Sequence, residues 1–348
     1  MNGDSANIPV IDISSPTVEV AKALVNASST YGFVFVKNND IGIPPQDISD
    51  MFELSKTFFQ SPVEIKEECS INSAKSGKNR GWLSMHTETL DPSNQKKGDY
   101  KEAFNFGEFV NGKADQPLPG PLAAREDDIG QFIDKCHNLC IKILDLFAIG
   151  LEIPESAGGP SFFTTRHDRS KGPSGSVFRL LYYPTLPFLP TDPLDIRAGA
   201  HSDYGSITLL FQLPGQPGLE ILTPSNTWAS VPVDPSPSSN PNPSSIPILV
   251  NIGDLLSYWT AGLLKSTVHR VIFPYAEENK GAQDRYSIAY FCHPLDDATL
   301  VPVPGPVVEE HVKRAGEEMN GAPMTAREHL NARLEATYGA KVKFEGSG

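Results

Sequence analysis

From Ser176 onward the chain breaks into short β-branched and aromatic runs separated by turn residues: SVFRLLYY, AGAHSD, SITLLFQ, GLEIL, TWASVPV, IPILVNI, STVHRVIF and RYSIAYF. None is long enough for an ordinary helix, and many short strands at close spacing are the pattern of a sandwich or jelly roll. Ahead of them, Ile129, Phe132, Ile133, Cys136, Cys140, Ile143, Leu144 and Phe147 recur at helical spacing, which predicts a long amphipathic helix backing a sheet. The expected class is mixed α and β: a double-stranded β-helix (jelly roll, cupin-like) core with supporting N-terminal helices and a C-terminal helix. The expected divisions are 1–123 (helical and strand segment with long loops), 124–175 (backing helix and loop), 176–300 (jelly roll) and 301–348 (C-terminal helix), integrated into one domain.

Local signals fill in the rest. IPVIDI (Ile8 to Ile13) and FVFVKN (Phe33 to Asn38) read as strands, Ser15-Pro16 as a helix start, and Pro45 to Gln60 as a helix. Ser61-Pro62-Val63-Glu64 and Thr325-Ala326-Arg327-Glu328 have the capping-box pattern, the second opening a helix to about Tyr338. Asn72 to Ala123 breaks into glycine, proline and lone aromatics, which predicts long loops too aromatic for disorder. Asp234 to Ser245 (DPSPSSNPNPSS), within a proline-rich stretch 234–247, reads as an insertion at a mobile hairpin tip.

The acidic balance, 42 Asp+Glu against 29 Lys+Arg, argues against a nucleic-acid surface or an anionic membrane and leaves small-molecule substrates open. No apolar run approaches a membrane span, and the start MNGDSANIPVID lacks a basic segment followed by an apolar one, so the expected location is cytoplasmic. Cys69, Cys136, Cys140 and Cys292 are too few and scattered for a disulfide framework. Cys136 and Cys140 lie on the apolar helical stripe with no further ligands at zinc-like spacing, so core packing is the reading.

Chemistry concentrates in AGAHSDYGSITLLFQ. On an extended strand His201 and Asp203 project to one face and form a ready chelate, whereas the adjacent His167 and Asp168 would point oppositely. KSTVHRVIF supplies a third candidate ligand, His269. Two histidines and a carboxylate make the facial triad of a non-haem Fe(II) site with open positions. In RYSIAYF, Arg285 and Ser287 share a face and make a carboxylate receptor.

These stretches, with VNIGDLLSYWTAGLLKSTVHRV read as one block, resemble the 2-oxoglutarate/Fe(II)-dependent dioxygenases of the isopenicillin N synthase type, most of all fungal members such as the thymine 7-hydroxylase branch. The resemblance implies Fe(II), 2-oxoglutarate and O2 as cofactor and cosubstrates, ascorbate as a reductant, succinate and CO2 as coproducts, and a small-molecule substrate of fungal-type secondary, nucleobase or amino-acid metabolism. Hydroxylation is the default outcome; desaturation or cyclisation is the variant. Tyr183 matches the family tyrosine that reaches 2-oxoglutarate, and Leu181 departs from a usual asparagine. Arg179, on the same strand face as Tyr183, is a candidate for orienting the substrate, with a surface salt bridge as its equal alternative. Tyr204 and Phe291 are candidate pocket walls, with core packing as the favoured alternative for Phe291. Two other readings stand beside this one: an oxidase that grips the substrate's own carboxylate with Arg285 and Ser287, and a non-catalytic metal-binding jelly roll.

Overall fold

The computed structural model describes residues 5–39, 41–73, 76, 79–236, 246–273, 283–316 and 323–338. The chain opens with β1 (Val10–Ile11), α1 (Val18–Thr30), β2 (Phe33–Val36), α2 (Pro45–Phe59) and α3 (Val63–Glu67). β3 (Gly81–Leu83), β4 (Glu102–Phe106), β5 (Phe109–Val110), β6 (Lys113–Ala114) and α4 (Gly120–Ala123) lead to the long helix α5 (Glu126–Gly150). The strands β7 (Val177–Tyr183), β8 (Ala198–His201), β9 (Ile207–Gln212), β10 (Leu219–Leu222), β11 (Trp228–Ser230) and β12 (Ile248–Ile252) follow, then α6 (Asp254–Trp259), β13 (His269–Val271) and β14 (Arg285–Cys292). β15 (Thr299–Leu300), α7 (Pro306–Ala315), β16 (Met324–Thr325) and α8 (Ala326–Tyr338) close the chain.

Two sheets face each other. The larger runs β1-β2-β12-β9-β14-β7-β4-β3 and the smaller β11-β10-β13-β8, the jelly-roll arrangement expected. The period of two along each strand explains why the large sheet reads as nearly continuous apolar sequence: both faces are covered. Val34, Val36, Leu180, Leu209, Phe211, Val250, Ile288 and Tyr290 join a core with Leu24, Phe52, Phe132, Ile143 and Phe147 of α1, α2 and α5. Their alternates, Phe33, Phe35, Leu181, Tyr183, Leu249 and Ala289, turn inward and pack with Ala198, Leu219, Ile221 and Val271 of the smaller sheet. Cys136 and Cys140 are fully buried on α5, as core packing requires.

Several expectations need correction. Residues 72–123 are not only loops: EAFNF and GWL are paired strands, with Asn105 opposite Arg179. Burial on both faces hid the alternation of EAFNF. The first helix is capped by Thr17, whose Oγ1 accepts from the Val20 amide at 3.3 Å, not by Ser15. The Ser61 capping box does not form; Pro62 holds the cap position and the Ser61 hydroxyl donates back to the Thr57 carbonyl at 2.9 Å. The Thr325 box does form, with the Thr325 amide donating to Glu328 Oε2 (2.7 Å) and the Glu328 amide to Thr325 Oγ1 (3.2 Å). The strands on either side of the proline-rich stretch belong to different sheets, β11 to the smaller and β12 to the larger. The stretch is therefore a crossover between sheets and not a hairpin tip; residues 237–245 themselves, and the mobility expected of them, lie outside the described residues.

Candidate active site

The two histidines are brought together by strand register. β13 pairs antiparallel with β8 so that His269 stands directly opposite His201, with ring centroids 4.4 Å apart. β8 ends at His201, and Asp203 lies just beyond the strand, where its carbonyl accepts the Asp254 amide at 2.7 Å. The chelate nevertheless closes: His201 Nε2 and His269 Nε2 are 3.9 and 3.7 Å from Asp203 Oδ1, and one donor atom from each residue lies within 4.8 Å of the others.

Each ligand is aimed by a hydrogen bond on its far side. His201 Nδ1 is 2.7 Å from the Gly199 carbonyl and His269 Nδ1 is 3.1 Å from the Thr267 carbonyl. A carbonyl can only accept, so both Nδ1 atoms carry the proton and both Nε2 lone pairs face the cavity. Burial, then the neighbouring His269, pulls the His201 pKa down to about 4, which keeps this ring neutral at physiological pH. Asp203 Oδ2 accepts from Thr208 Oγ1 (2.6 Å) and Asn251 Nδ2 (2.7 Å), leaving Oδ1 toward the imidazoles. Burial works to raise the Asp203 carboxyl, but the two imidazoles and these bonds hold it below the ordinary carboxylate range. Two imidazole nitrogens and a carboxylate oxygen on one face suit a divalent metal with open positions.

The same cavity is lined by Arg285, Ser287, Tyr183, Arg179 and Phe291. Arg285 is only 2 % exposed. Its Nη1 and Nη2 reach Ser287 Oγ and Gln212 Oε1, both at 3.3 Å, its guanidinium stands 4.9 Å from the Tyr183 ring centre, and its Nε has no partner. It pairs with no carboxylate among the described residues. A second buried arginine, Arg197, adds to the excess; burial, then Arg285, pulls its pKa down to about 10. A buried guanidinium is costly without an anion, and that of Arg285 lines the cavity. The residues present therefore fit the remote carboxylate of a dicarboxylic cosubstrate.

The other end differs. Arg179 is not a surface salt bridge: Nη1 lies 3.2 Å from Glu88 Oε2, and Nε donates to Asn105 Oδ1 at 2.6 Å. Glu88 also meets Lys101 at 2.8 Å, and Lys101 meets Asp99 at 2.5 Å. Tyr204 and Phe291 line this compartment with Leu90, Leu330 and Leu334. α8 is held here by Arg333, which pairs with Asp254 at 2.8 Å and stands 5.4 Å from the Tyr204 ring centre. His167 takes no part in the metal site; its nitrogens meet the Phe163 carbonyl and Ser206 Oγ.

Comparison with known proteins agrees with this geometry. The non-haem dioxygenase N-terminal family (described for morphine synthesis) matches residues 8–126, and the 2OG-Fe(II) oxygenase superfamily matches residues 174–294. The chain belongs to the 2-oxoglutarate/Fe(II)-dependent dioxygenases. Such an oxygenase is an oxidoreductase that uses Fe(II), 2-oxoglutarate and O2. Among relatives, a UPF0676 protein of Schizosaccharomyces pombe is 36 % identical over 98 % of this chain and 96 % of its own length. A proline hydroxylase of Petromyces alliaceus is 31 % identical, with 90 % and 92 % covered. The structure of Neurospora crassa thymine 7-hydroxylase with α-ketoglutarate and thymine superposes on this oxygenase with a TM-score of 0.76 at 29 % identity, covering 97 % of this chain and 99 % of that one. No helix among the described residues is long and apolar enough to cross a membrane.

The site contains residues to which the sequence drew no attention: Glu88, Lys101, Asn105, Thr208, Gln212 and Asn251. The last three had a signal, a polar side chain at an inward position of an otherwise apolar strand.

Proposed function

We propose that this oxygenase hydroxylates an unactivated C–H bond of a small molecule, with His201, Asp203 and His269 holding the iron and Arg285, Ser287 and Tyr183 receiving 2-oxoglutarate. Iron with 2-oxoglutarate and O2 supplies the oxidising chemistry and releases succinate and CO2. The chain's own residues supply placement. Thr208 and Asn251 hold Asp203 as a single-oxygen ligand, the Gly199 and Thr267 carbonyls set both imidazole tautomers, and Arg285 presents a two-pronged donor to the cosubstrate. Arg179, Tyr204 and Phe291 face the substrate, and the apolar lining keeps water from the reacting atoms.

The observation that carries the reading is Arg285, a buried cation with no carboxylate partner among the described residues, lining one cavity with the three metal donors. Substrates of fungal secondary, nucleobase or amino-acid metabolism fit the fungal relatives and the thymine-bound structure. Four free, buried cysteines suit a reducing, cytoplasmic setting. The test is succinate release from 2-oxoglutarate by the Fe(II)-loaded protein. Substrate oxidation with no succinate would instead assign Arg285 to the substrate's carboxylate, as in an oxidase that does not use 2-oxoglutarate.

A further inference from the structure

We infer that Glu88 makes this pocket select an uncharged substrate. The inference rests on the oxygenase reading above and extends it to the charge of the molecule that is oxidised. Away from Arg285, both cations among the described residues that line the cavity already have carboxylates. Arg179 lies 3.2 Å from Glu88, and Lys101 lies 2.8 Å from Glu88 and 2.5 Å from Asp99. The side chains of Glu88 and Lys101 are each 3 % exposed, so water screens these charges little. A carboxylate on the substrate would either displace Glu88 from Arg179 or lie beside it as a like charge, and an ammonium group would meet Lys101 and Arg179.

What this wall can offer is a guanidinium edge that donates beside a carboxylate edge that accepts. Around them the lining includes the apolar side chains of Leu90, Val177, Phe291, Leu330 and Leu334. A neutral molecule with a carbonyl next to an N–H or O–H, as in an amide, lactam or imide, satisfies both edges without bringing net charge into the compartment. Glu88 is thus a specificity-determining residue. The same charges also reach the metal face: Asp99, bound to Lys101, accepts the Gly199 amide at 2.9 Å, and the Gly199 carbonyl accepts from His201.

The experiment uses the full chain loaded with Zn(II) and 2-oxoglutarate, and measures binding of matched neutral and anionic probes: thymine against orotate, nicotinamide against nicotinate, 2-pyrrolidone against pyroglutamate. The wild type is expected to favour the neutral members on the order of tenfold to a hundredfold. Glu88→Gln, which keeps the shape and removes the charge, should lose or reverse that preference, while Arg179→Gln should reject the acids more strongly. Opposite shifts in the two variants are not what a merely structural role would give, and an unchanged affinity for 2-oxoglutarate reports that each variant is folded. Equal binding or no binding of both members by the wild type, a preference for the acids, or a wild-type preference retained in folded Glu88→Gln overturns the inference; if Glu88→Gln does not fold, an Arg179→Gln protein that accepts the acids more readily does so. Succinate release by the Fe(II) form, measured in parallel, separates the two claims: its absence overturns the oxygenase reading itself, and its presence without charge discrimination overturns only the role of Glu88.

Discussion

Arg285 and Arg179 project from neighbouring strands into one cavity, yet the protein treats their charges in opposite ways. β14 and β7 are paired, with Arg285 opposite Tyr183 and Arg179 opposite Ala289. Arg179 is matched by Glu88, whereas Arg285 is left with the neutral partners Ser287 and Gln212. One end of the cavity is therefore a stored electrostatic deficit that an anion removes, and the other is a finished network. On the proposed assignment, a site that binds and releases a dianion at each turnover cannot carry its own counter-charge there, whereas a wall that only orients can.

The largest effect falls on the metal face, where the two ends meet. Asp203→Ala or His269→Ala is expected to abolish turnover and metal retention, because two remaining donors cannot hold the ion against water. Thr208→Val or Asn251→Ala should weaken metal affinity by roughly 10–100-fold while leaving all three donors in place. Metal analysis after dialysis reads both.

Stability tests the contrast itself. Glu88→Ala strands Arg179 and half of Lys101's pairing, and should destabilise the protein by roughly 3–5 kcal/mol. Arg285→Met strands no charge, only the weakly bonded acceptors of Ser287 and Gln212, and should stabilise the cosubstrate-free protein by about 0.5–2 kcal/mol while removing 2-oxoglutarate binding. Urea denaturation of the two variants checks this; equal losses would mean that the two arginines are not differently compensated.

Arg285→Lys keeps the charge and loses the fork, so 2-oxoglutarate affinity should fall by roughly 1.5–3 kcal/mol with metal content unchanged. Calorimetric titration of the Zn(II) form gives the number.

The substrate end also carries His293, buried and lining that compartment. Burial, then His167, His329 and Arg327, pulls its pKa down to about 3, against a weak opposing pull from Asp203. The unfolded chain takes up this proton below about 6.5 and the folded chain does not until about 3. Metal-free stability is therefore complete above the unfolded value and declines as pH falls from about 6.5 toward 3, with a slope approaching about 1.4 kcal/mol per pH unit for this group. Denaturation midpoints between pH 7 and 5 should show a shallower decline in His293→Asn.

The smallest expected effect concerns only the substrate end. Thr325→Ala removes the cap of the helix that brings Leu330 and Leu334 to the lining, at a cost of about 1 kcal/mol. The substrate KM should rise and 2-oxoglutarate affinity should not.

The parts of this site that a reader of the sequence recovers are those in which one strand carries the whole message. His201 with Asp203, and Arg285 with Ser287, are neighbours on single short stretches, and their phase is visible in the alternation. Asn251 and Thr208 are 43 positions apart and become partners on Asp203 only because β12 and β9 pair them directly opposite. Glu88 is less legible still: it belongs to no strand, and its importance comes from Arg179 on β7 and Lys101 just ahead of β4, which converge on it. The jelly roll was legible from its eight short runs, whereas the crossover through 234–247 was not, because a proline-rich link looks the same whether the strands it joins share a sheet or not. The Ser61 box failed for a local reason, since the proline that suits the first turn of a helix took the cap position itself.

β14 is, in effect, a ruler. Arg285, Ser287, Ala289 and Phe291 face the cavity in turn, each step about 6.8 Å along the strand, running from the proposed anion receptor to the proposed substrate wall. With Arg285 as the proposed receptor, cosubstrate length would be measured against the backbone, and a 2-oxo diacid longer or shorter by one methylene would not fall on the graduations. A single-residue deletion within the strand would move every later mark to the opposite face, placing Cys292 where Phe291 now faces the cavity and sending Phe291 into the helical core. Such a strand can drift in composition but not in length.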